Sequence, residues 1–416
     1  MFRRRWSGLP ADPVYPTDLT ELGYFINEDD EIRFRENPDY YFKFFSYKNE
    51  RWNERQRFCF NEGVGKVIDS RLDDENLVEL RLPIGTPPDQ PHVPIRISAD
   101  LPAHTTRVVL FIGQPIQEFG VLAYRVLSGR GGINKGSVIN LVKALKNQKS
   151  SAEDDSPPGI IIANPGELIW WPEGKRGLTP TGFHGVPMAS AVHFGRRWVE
   201  EENGIPGNMT SREHVKMVFE EVLGKMVKKG TKVDVIALGD SADDVEGYLN
   251  DDEAWAKFGG MMGSLVVMGG YYDKKQFKCE GFEKFMNERA RAYVIHHTPL
   301  DSPVAGPGGN LRSRGISYGC PTYSAGAAKI TEMLFIVTQP SVLKWIQDVA
   351  LEGEAYKNKE FEVFGGEDDE EDDQTWRGWT GESDESKTLL PNGTDATDDN
   401  NSVLVDGVKD LGLEDK

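Results

Sequence analysis

The stretch Lys232-Val-Asp-Val-Ile-Ala-Leu-Gly-Asp-Ser-Ala-Asp243 decides how this chain is read. Val233 to Leu238 is a short apolar run, rich in β-branched residues, with the length of a buried parallel strand. Gly239-Asp-Ser-Ala-Asp243 follows at once, and Val245, Tyr248 and Leu249 then fall at helical spacing. Strand, tight turn with Ser241 at its tip, then helix: this is the layout of a nucleophile elbow, G-x-S-x-G. Asp243 stands where the second glycine would let the helix pack close under the turn. Ser241 is therefore either an armed nucleophile or a serine in a degenerate elbow.

The histidines bear on that choice. An active hydrolase of this layout places Ser, acid and His in that chain order. The His takes the proton from Ser, and without it the hydroxyl is a poor nucleophile. Asp301, just past a late strand, fits the acid. No His follows it, because the last histidine in the chain is His297. The loop Ser324-Ala-Gly-Ala-Ala-Lys-Ile330, where one is expected, offers Lys329 instead. A rearranged set remains, with Asp273 as acid and His296 or His297 as base. An oxyanion hole would need the N–H of Ala242 and another near Gln114, since Pro115 has none. On this logic a non-catalytic serine at a strand end is favoured over a working hydrolase.

Outward from the pivot, the pattern alternates strands and helices. Leu22-Gly-Tyr-Phe-Ile26 and Ile32-Arg-Phe34 flank the acidic turn 27–31 and predict a hairpin. Residues 49–72 read as a helix, with Phe60, Val64, Val67, Ile68 and Leu72 on one face. Segments 77–84, 93–97, 107–112 and 159–164 read as strands, and 166–187 as a long insertion carrying Trp170 and Trp171. Thr210-Ser-Arg-Glu213 is a capping box opening an amphipathic helix. Segments 264–268 and 292–296 read as strands, 282–290 as a helix, 332–337 as an apolar segment and 341–351 as a closing helix. An antiparallel start followed by β-α units, with a Ser elbow after a central strand, predicts an α/β-hydrolase-like fold. Its sheet is mostly parallel, with helices on both faces. The domain spans 21–364, after an irregular Pro-rich lead over 1–20.

The charge is −19 over 416 residues. From Gly365 onward there are 17 acidic and 4 basic residues, a net of −13, which leaves −6 on the rest. Neither part carries the basic footprint that strong direct nucleic-acid binding requires. No apolar run approaches the roughly eighteen residues of a membrane span, and the start lacks the apolar core of a signal peptide. Cys59, Cys279 and Cys320 are odd in number and far apart, which predicts reduced thiols and an intracellular protein. No metal-ligand spacing and no cofactor motif is present. Gly129-Arg-Gly-Gly-Ile-Asn-Lys-Gly-Ser137 resembles a phosphate loop, but its Lys-Gly-Ser order breaks G-x-x-x-x-G-K-[ST], so a structural turn is favoured. The tail from 365 to 416 has too little apolar surface to fold and is expected to be disordered. Within it, Gln374-Thr-Trp-Arg-Gly-Trp-Thr-Gly-Glu382 holds Trp376 and Trp379, either as partner anchors or folded back onto the domain.

Several stretches in order resemble the Argonaute-binding-protein-two (Arb-two) domain family, which has fungal single-domain members and a cotranscriptional regulator group in animals. They are Leu22-Gly-Tyr-Phe-Ile-Asn27, Gly131-Gly-Ile-Asn-Lys-Gly-Ser137, Gly159-Ile-Ile-Ile-Ala-Asn164, the elbow at Gly239, Tyr318-Gly-Cys-Pro321 and Ser324-Ala-Gly326. The resemblance is to the fungal members and spans about Leu22 to Leu351. It implies an α/β-hydrolase relative that binds Argonaute in a nuclear complex handling small interfering RNA, for heterochromatin silencing. The expected partners are Argonaute and other silencing or chromatin proteins, and the expected site is nuclear, with a cytoplasmic pool compatible. Trp376 and Trp379, flanked by Gly and Thr, would then fit tryptophan pockets on Argonaute. The competing expectation is an esterase or peptidase using Ser241.

Overall fold

In the computed structural model of the chain, residues 8–193, 195–309, 317–326 and 330–359 are described. Lys329, Trp376, Trp379 and the acidic tail lie outside them. The predicted hairpin forms from β1 (Tyr24–Ile26) and β2 (Ile32–Phe34), paired antiparallel. The helix Glu50–Asp74 follows, capped by the Asn49 side chain.

The main sheet takes β3 (Leu77–Leu82), β4 (Val93–Ser98), β5 (Arg107–Ile112) and β6 (Gly159–Ala163). The insertion then forms its own hairpin from β7 (Ile169–Trp171) and β8 (Arg176–Leu178). The chain returns to the sheet with β9 (Lys232–Leu238), β10 (Met262–Met268), β11 (Ala290–Val294), β12 (Pro303–Ala305) and β13 (Thr322–Ser324). Across the sheet the order is β12-β13-β11-β10-β9-β5-β6-β4-β3. Every pairing from β6 to β13 is parallel, and antiparallel pairs lie at both margins. The fold is α/β with a mostly parallel, nine-stranded sheet, as the strand–helix alternation predicts.

Alternation along the strands places helices on both faces, because successive side chains point to opposite sides. Val109, Phe111, Ile236 and Leu238 pack with residues of the helices Glu50–Asp74, Val138–Leu145 and Leu334–Glu352. Val108, Leu110, Val235 and Ala237 pack on the other side with Val215, Val218, Val245, Phe258 and Phe282. The helix from Ser211–Met217 opens as its sequence predicts. Thr210 Oγ1 accepts the Glu213 N–H at 3.2 Å, while Glu213 reaches back to the Met209 N–H at 2.8 Å. That helix continues through a π-helical stretch, Val218–Leu223.

One reading is corrected. The separate segments expected at 332–337 and 341–351 are one helix, Leu334–Glu352, with Pro340 inside it. A mid-helix proline removes a backbone bond and predicts a break. Here Phe335, Ile336, Val342, Leu343, Trp345, Ile346 and Val349 are all buried along the helix, and that packing outweighs the lost bond. The lead is irregular from residue 8 to 20, but it is pinned to the body. Arg51 donates from Nε and Nη2 to the two Asp12 oxygens, both at 2.7 Å, and also reaches the His184 and Val186 carbonyls. Among the described residues no helix is long and apolar enough to cross a membrane. The three cysteines are buried and unpaired.

Candidate functional site

Gly239 ends β9 with φ +58° and ψ −139°. That backbone is near a region occupied essentially by glycine alone. The helix begins at Asp240, so Ser241 is its second residue, not the tip of the turn. This corrects the expectation from the motif letters. The strained position, where an elbow holds its nucleophile, carries no side chain. Ala237 and Ser241 are the small residues on either side of it, and Asp240 is the exposed side chain next to it. Ser241 is fully buried, and its Oγ lies 3.4 Å from Ser211 Oγ. A Cβ on Gly239 would meet Gln114 Cγ at 3.3 Å, so the loop after β5 leans over the tip. We expect Gly239→Ala to keep the fold and cost about 1–3 kcal/mol through the disfavoured φ. An unchanged melting midpoint would show that the turn is relaxed.

The other triad candidates make hydrogen bonds elsewhere. Asp301 has φ +64° and accepts from Tyr293 Oη at 3.2 Å and Ser341 Oγ at 2.5 Å, bonds that tie β11 to the closing helix. Asp273 caps a short turn by accepting the Lys275 N–H at 2.8 Å. His296 Nδ1 lies 2.9 Å from Thr298 Oγ1, and its ring is 4.2 Å from that of His297. None of these bonds reaches Ser241. The Ala242 N–H, the expected oxyanion donor, is spent on the Gly239 carbonyl at 2.9 Å. Glu246, on the elbow helix, is buried with both oxygens unpartnered among the described residues. Burial and then the Asp243 carboxyl push its own carboxyl well above the usual range.

The glycine-rich turn is structural. Gly131 and Gly132 have φ of +116° and +76°, and the short helix Gly132–Gly136 starts there. Its N-terminus is already filled by a carboxylate of the hairpin: Asn134 N–H donates to Asp30 Oδ2 at 2.7 Å, and Arg71 closes on Asp30 Oδ1 at 2.6 Å. The anion that such a turn attracts is supplied by the chain itself. The tryptophans of the insertion are packed. Trp170 is buried with its ring 5.1 Å from His92, and the Trp171 ring is 5.8 Å from Phe58.

A cavity of about 410 Å³ opens at the carboxyl ends of β5 and β6, under the β7–β8 hairpin and against the helix Glu50–Asp74. Two of its six lining carboxylates, Glu118 and Glu167, come from the loops after β5 and β6, where open α/β sheets bind ligands. Glu118 Oε1 accepts from Asn61 Nδ2 at 3.0 Å and Thr179 Oγ1 at 3.4 Å. Glu167 Oε2 accepts from Asn164 Nδ2 at 2.8 Å. Burial pushes the Glu167 carboxyl up to about 7, and Glu118 adds to the rise against the opposing pull of Arg176 and Asn164.

The two loops touch at Gly166, where any Cβ would collide with the Gln117 carbonyl oxygen. We therefore expect Gly166→Ala to cost about 1–3 kcal/mol by forcing the loops apart. Gly65 lies on the same cavity wall with open space around it, so Gly65→Ala should stabilise its helix by about 0.5–1 kcal/mol. Urea midpoints of the two variants check this; equal midpoints would contradict it. His214 is buried beside Asn164, at the end of β6. Its Nδ1–H donates to Asn208 Oδ1 at 2.8 Å, and its Nε2 accepts the Asn164 N–H at 3.1 Å. Burial pushes it down to about 3, so it stands neutral.

Local sequence pattern points to the elbow but not to Glu118, Glu167 or His214. For the two glutamates a signal existed: each follows an apolar strand by a few residues. Among the described residues no group of three or more His, Cys, Asp or Glu is placed to hold a metal ion. A family model described as the Arb2 domain matches residues 15–300, which take in the hairpin, the elbow and the cavity. No curated protein matches the chain.

Proposed function

We propose that this chain, which belongs to the Arb2 domain family, is a non-catalytic scaffold that binds Argonaute in a nuclear small-RNA complex. The family is chromatin- and silencing-related. The observation that carries the non-catalytic part is Gly239 at the strained tip, with Ser241 buried behind it. A side chain cannot attack from a position that lacks one, and a fold serves many functions through the sites grafted on it. The exposed Asp240 beside the tip further disfavours an oxyanion, which needs donors and positive potential. In this reading Trp376 and Trp379 dock into tryptophan pockets on Argonaute, and the folded body presents them.

The test is capture from nuclear extract with the full chain as bait, read by immunoblot for Argonaute and for chromatin proteins. We expect Argonaute with the wild type and much less with Trp376→Ala/Trp379→Ala. Recovery of neither class of partner would overturn the scaffold reading. Equal recovery by both baits would discard the tryptophans and leave the body as the contact.

A further inference from the structure

We propose that the cavity between the loops after β5 and β6 is a binding site for a primary alkylammonium group, held by Glu118, Glu167 and the Tyr124 hydroxyl. The volume, about 410 Å³, is that of a small-molecule site. Its position at the carboxyl ends of adjacent parallel strands is where such sheets place ligands. The proposal does not depend on the Argonaute reading.

The charges select the guest. Arg57, Arg81 and Arg96, which line the cavity, are bound to Glu54, Glu79 and the pair Asp69 and Asp73. Arg176, the cation nearest Glu167, is tied to Glu62 and lies over the Phe58 and Trp171 rings. Lys66, bound to Thr17, and the exposed Lys175 also line the cavity, and among the described residues none of these cations forms a hydrogen bond or ion pair with Glu118 or Glu167. Both hydrogen bonds to Glu118 fall on Oε1, which leaves Oε2 free among the described residues. The Tyr124 hydroxyl is buried beside Glu118 yet makes no hydrogen bond of proper geometry among the described residues. Its O–H points to Glu118 as the nearby acceptor, and its oxygen lone pairs are left to accept from a guest donor. Burial pushes the Glu167 carboxyl up to about 7, with Glu118 adding to the rise against Arg176, so a further cation beside it would be favourable.

An ammonium fits this set because it has three donors and no acceptor. Glu118, Glu167 and Tyr124 supply one acceptor each. A quaternary ammonium has no N–H to give them and prefers aromatic cages. A calcium ion needs several carboxylates converging on one point, and among the described residues no three His, Cys, Asp or Glu are so placed. Phe58, Phe119, Ile95 and Leu178 line the cavity around the carboxylates and suit an aliphatic stem. The ammonium can belong to a free amine or to a lysine side chain of a partner, and the chemistry at the carboxylates is the same.

Calorimetric titration of the full chain separates these sources. The probes are n-butylammonium, an acetylated Gly-Lys-Gly amide, and butyltrimethylammonium as the control. We expect saturable binding of at least one primary ammonium and none of the quaternary control. Glu118→Gln and Glu167→Gln should each weaken binding at least 10-fold. Tyr124→Phe, which keeps the packing, should weaken it several-fold, with circular dichroism confirming that the variants fold. Tighter binding of the peptide assigns the site to a partner's lysine, and tighter binding of butylammonium assigns it to a free amine. No saturable binding of either probe, or equal binding by wild type and both Gln variants, would overturn the proposal.

Discussion

Asp234→Ala is expected to lose about 3–5 kcal/mol of folding stability, the largest effect of any single change we predict. Asp234 lies on β9 and accepts from Arg107 Nε on β5 at 2.6 Å, with the two side chains 3% and 1% exposed. Ser264 Oγ on β10 donates to its other oxygen at 2.7 Å. Arg107 in turn donates to the Lys149 and Ile346 carbonyls and to Gln148 Oε1, which ties three central strands to the closing helix. Removing the carboxylate leaves a buried guanidinium with one charge partner gone, and it is the abandoned charge that costs. Arg107→Met/Asp234→Leu removes both charges and should recover most of the loss, since a buried pair is often no better than packed apolar groups. Urea unfolding of the three proteins checks this. A single variant as stable as wild type, or a double variant no better than the single, would contradict the account.

The second large effect concerns acid. His214 is buried neutral, held down to about 3 by burial, whereas an unfolded histidine titrates near 6.5. Between those values the unfolded chain binds a proton that the folded chain refuses. Stability therefore falls as pH drops below about 6.5, by roughly 1.4 kcal/mol per pH unit from this one group, reaching about 5 kcal/mol near pH 3. Glu167 works in the opposite sense. Its raised carboxyl favours the folded state at low pH, and that contribution is lost as pH rises through about 7. The two overlap, so the comparison is made against His214→Gln. Glutamine can donate to Asn208 and accept from Asn164 without ionising. We expect the variant to show a shallower loss of stability between pH 6.5 and 4.5, by roughly 1.4 kcal/mol per unit. Parallel slopes for the two proteins would mean that the imidazole takes up its proton in the folded state.

The central strands were legible because they are buried on both faces. β5, β9 and β10 read as continuous apolar runs, and β5 was bounded to the residue. β12 and β13 were not, since three residues each leave no periodicity to detect. The elbow was half legible. The letters G-x-S-x-G matched with Ser241 at the tip, but φ +58° and ψ −139° can be met comfortably by Gly239 and not by a serine. The turn therefore falls two residues earlier, in the frame Ala237-Leu238-Gly239-Asp240-Ser241. In that frame Ser241 is the small residue that lets the helix pack, which also explains why it is buried.

The cavity depends on contacts that no local pattern encodes. Glu118 and Glu167 share one cavity because Gly166 lets its backbone lie against Gln117. The glycine-rich turn shows the converse. It carried an anion-binding signal, and the anion proved to be Asp30, from a hairpin a hundred residues earlier in the chain.

The most direct test of the non-catalytic elbow is fluorophosphonate labelling of the full chain beside Ser241→Ala. With the tip side chain absent and Ser241 sealed against Ser211, the account predicts no labelling at Ser241 in the wild type. Labelling that disappears in Ser241→Ala would contradict it, and would mean that the serine is both reachable and activated.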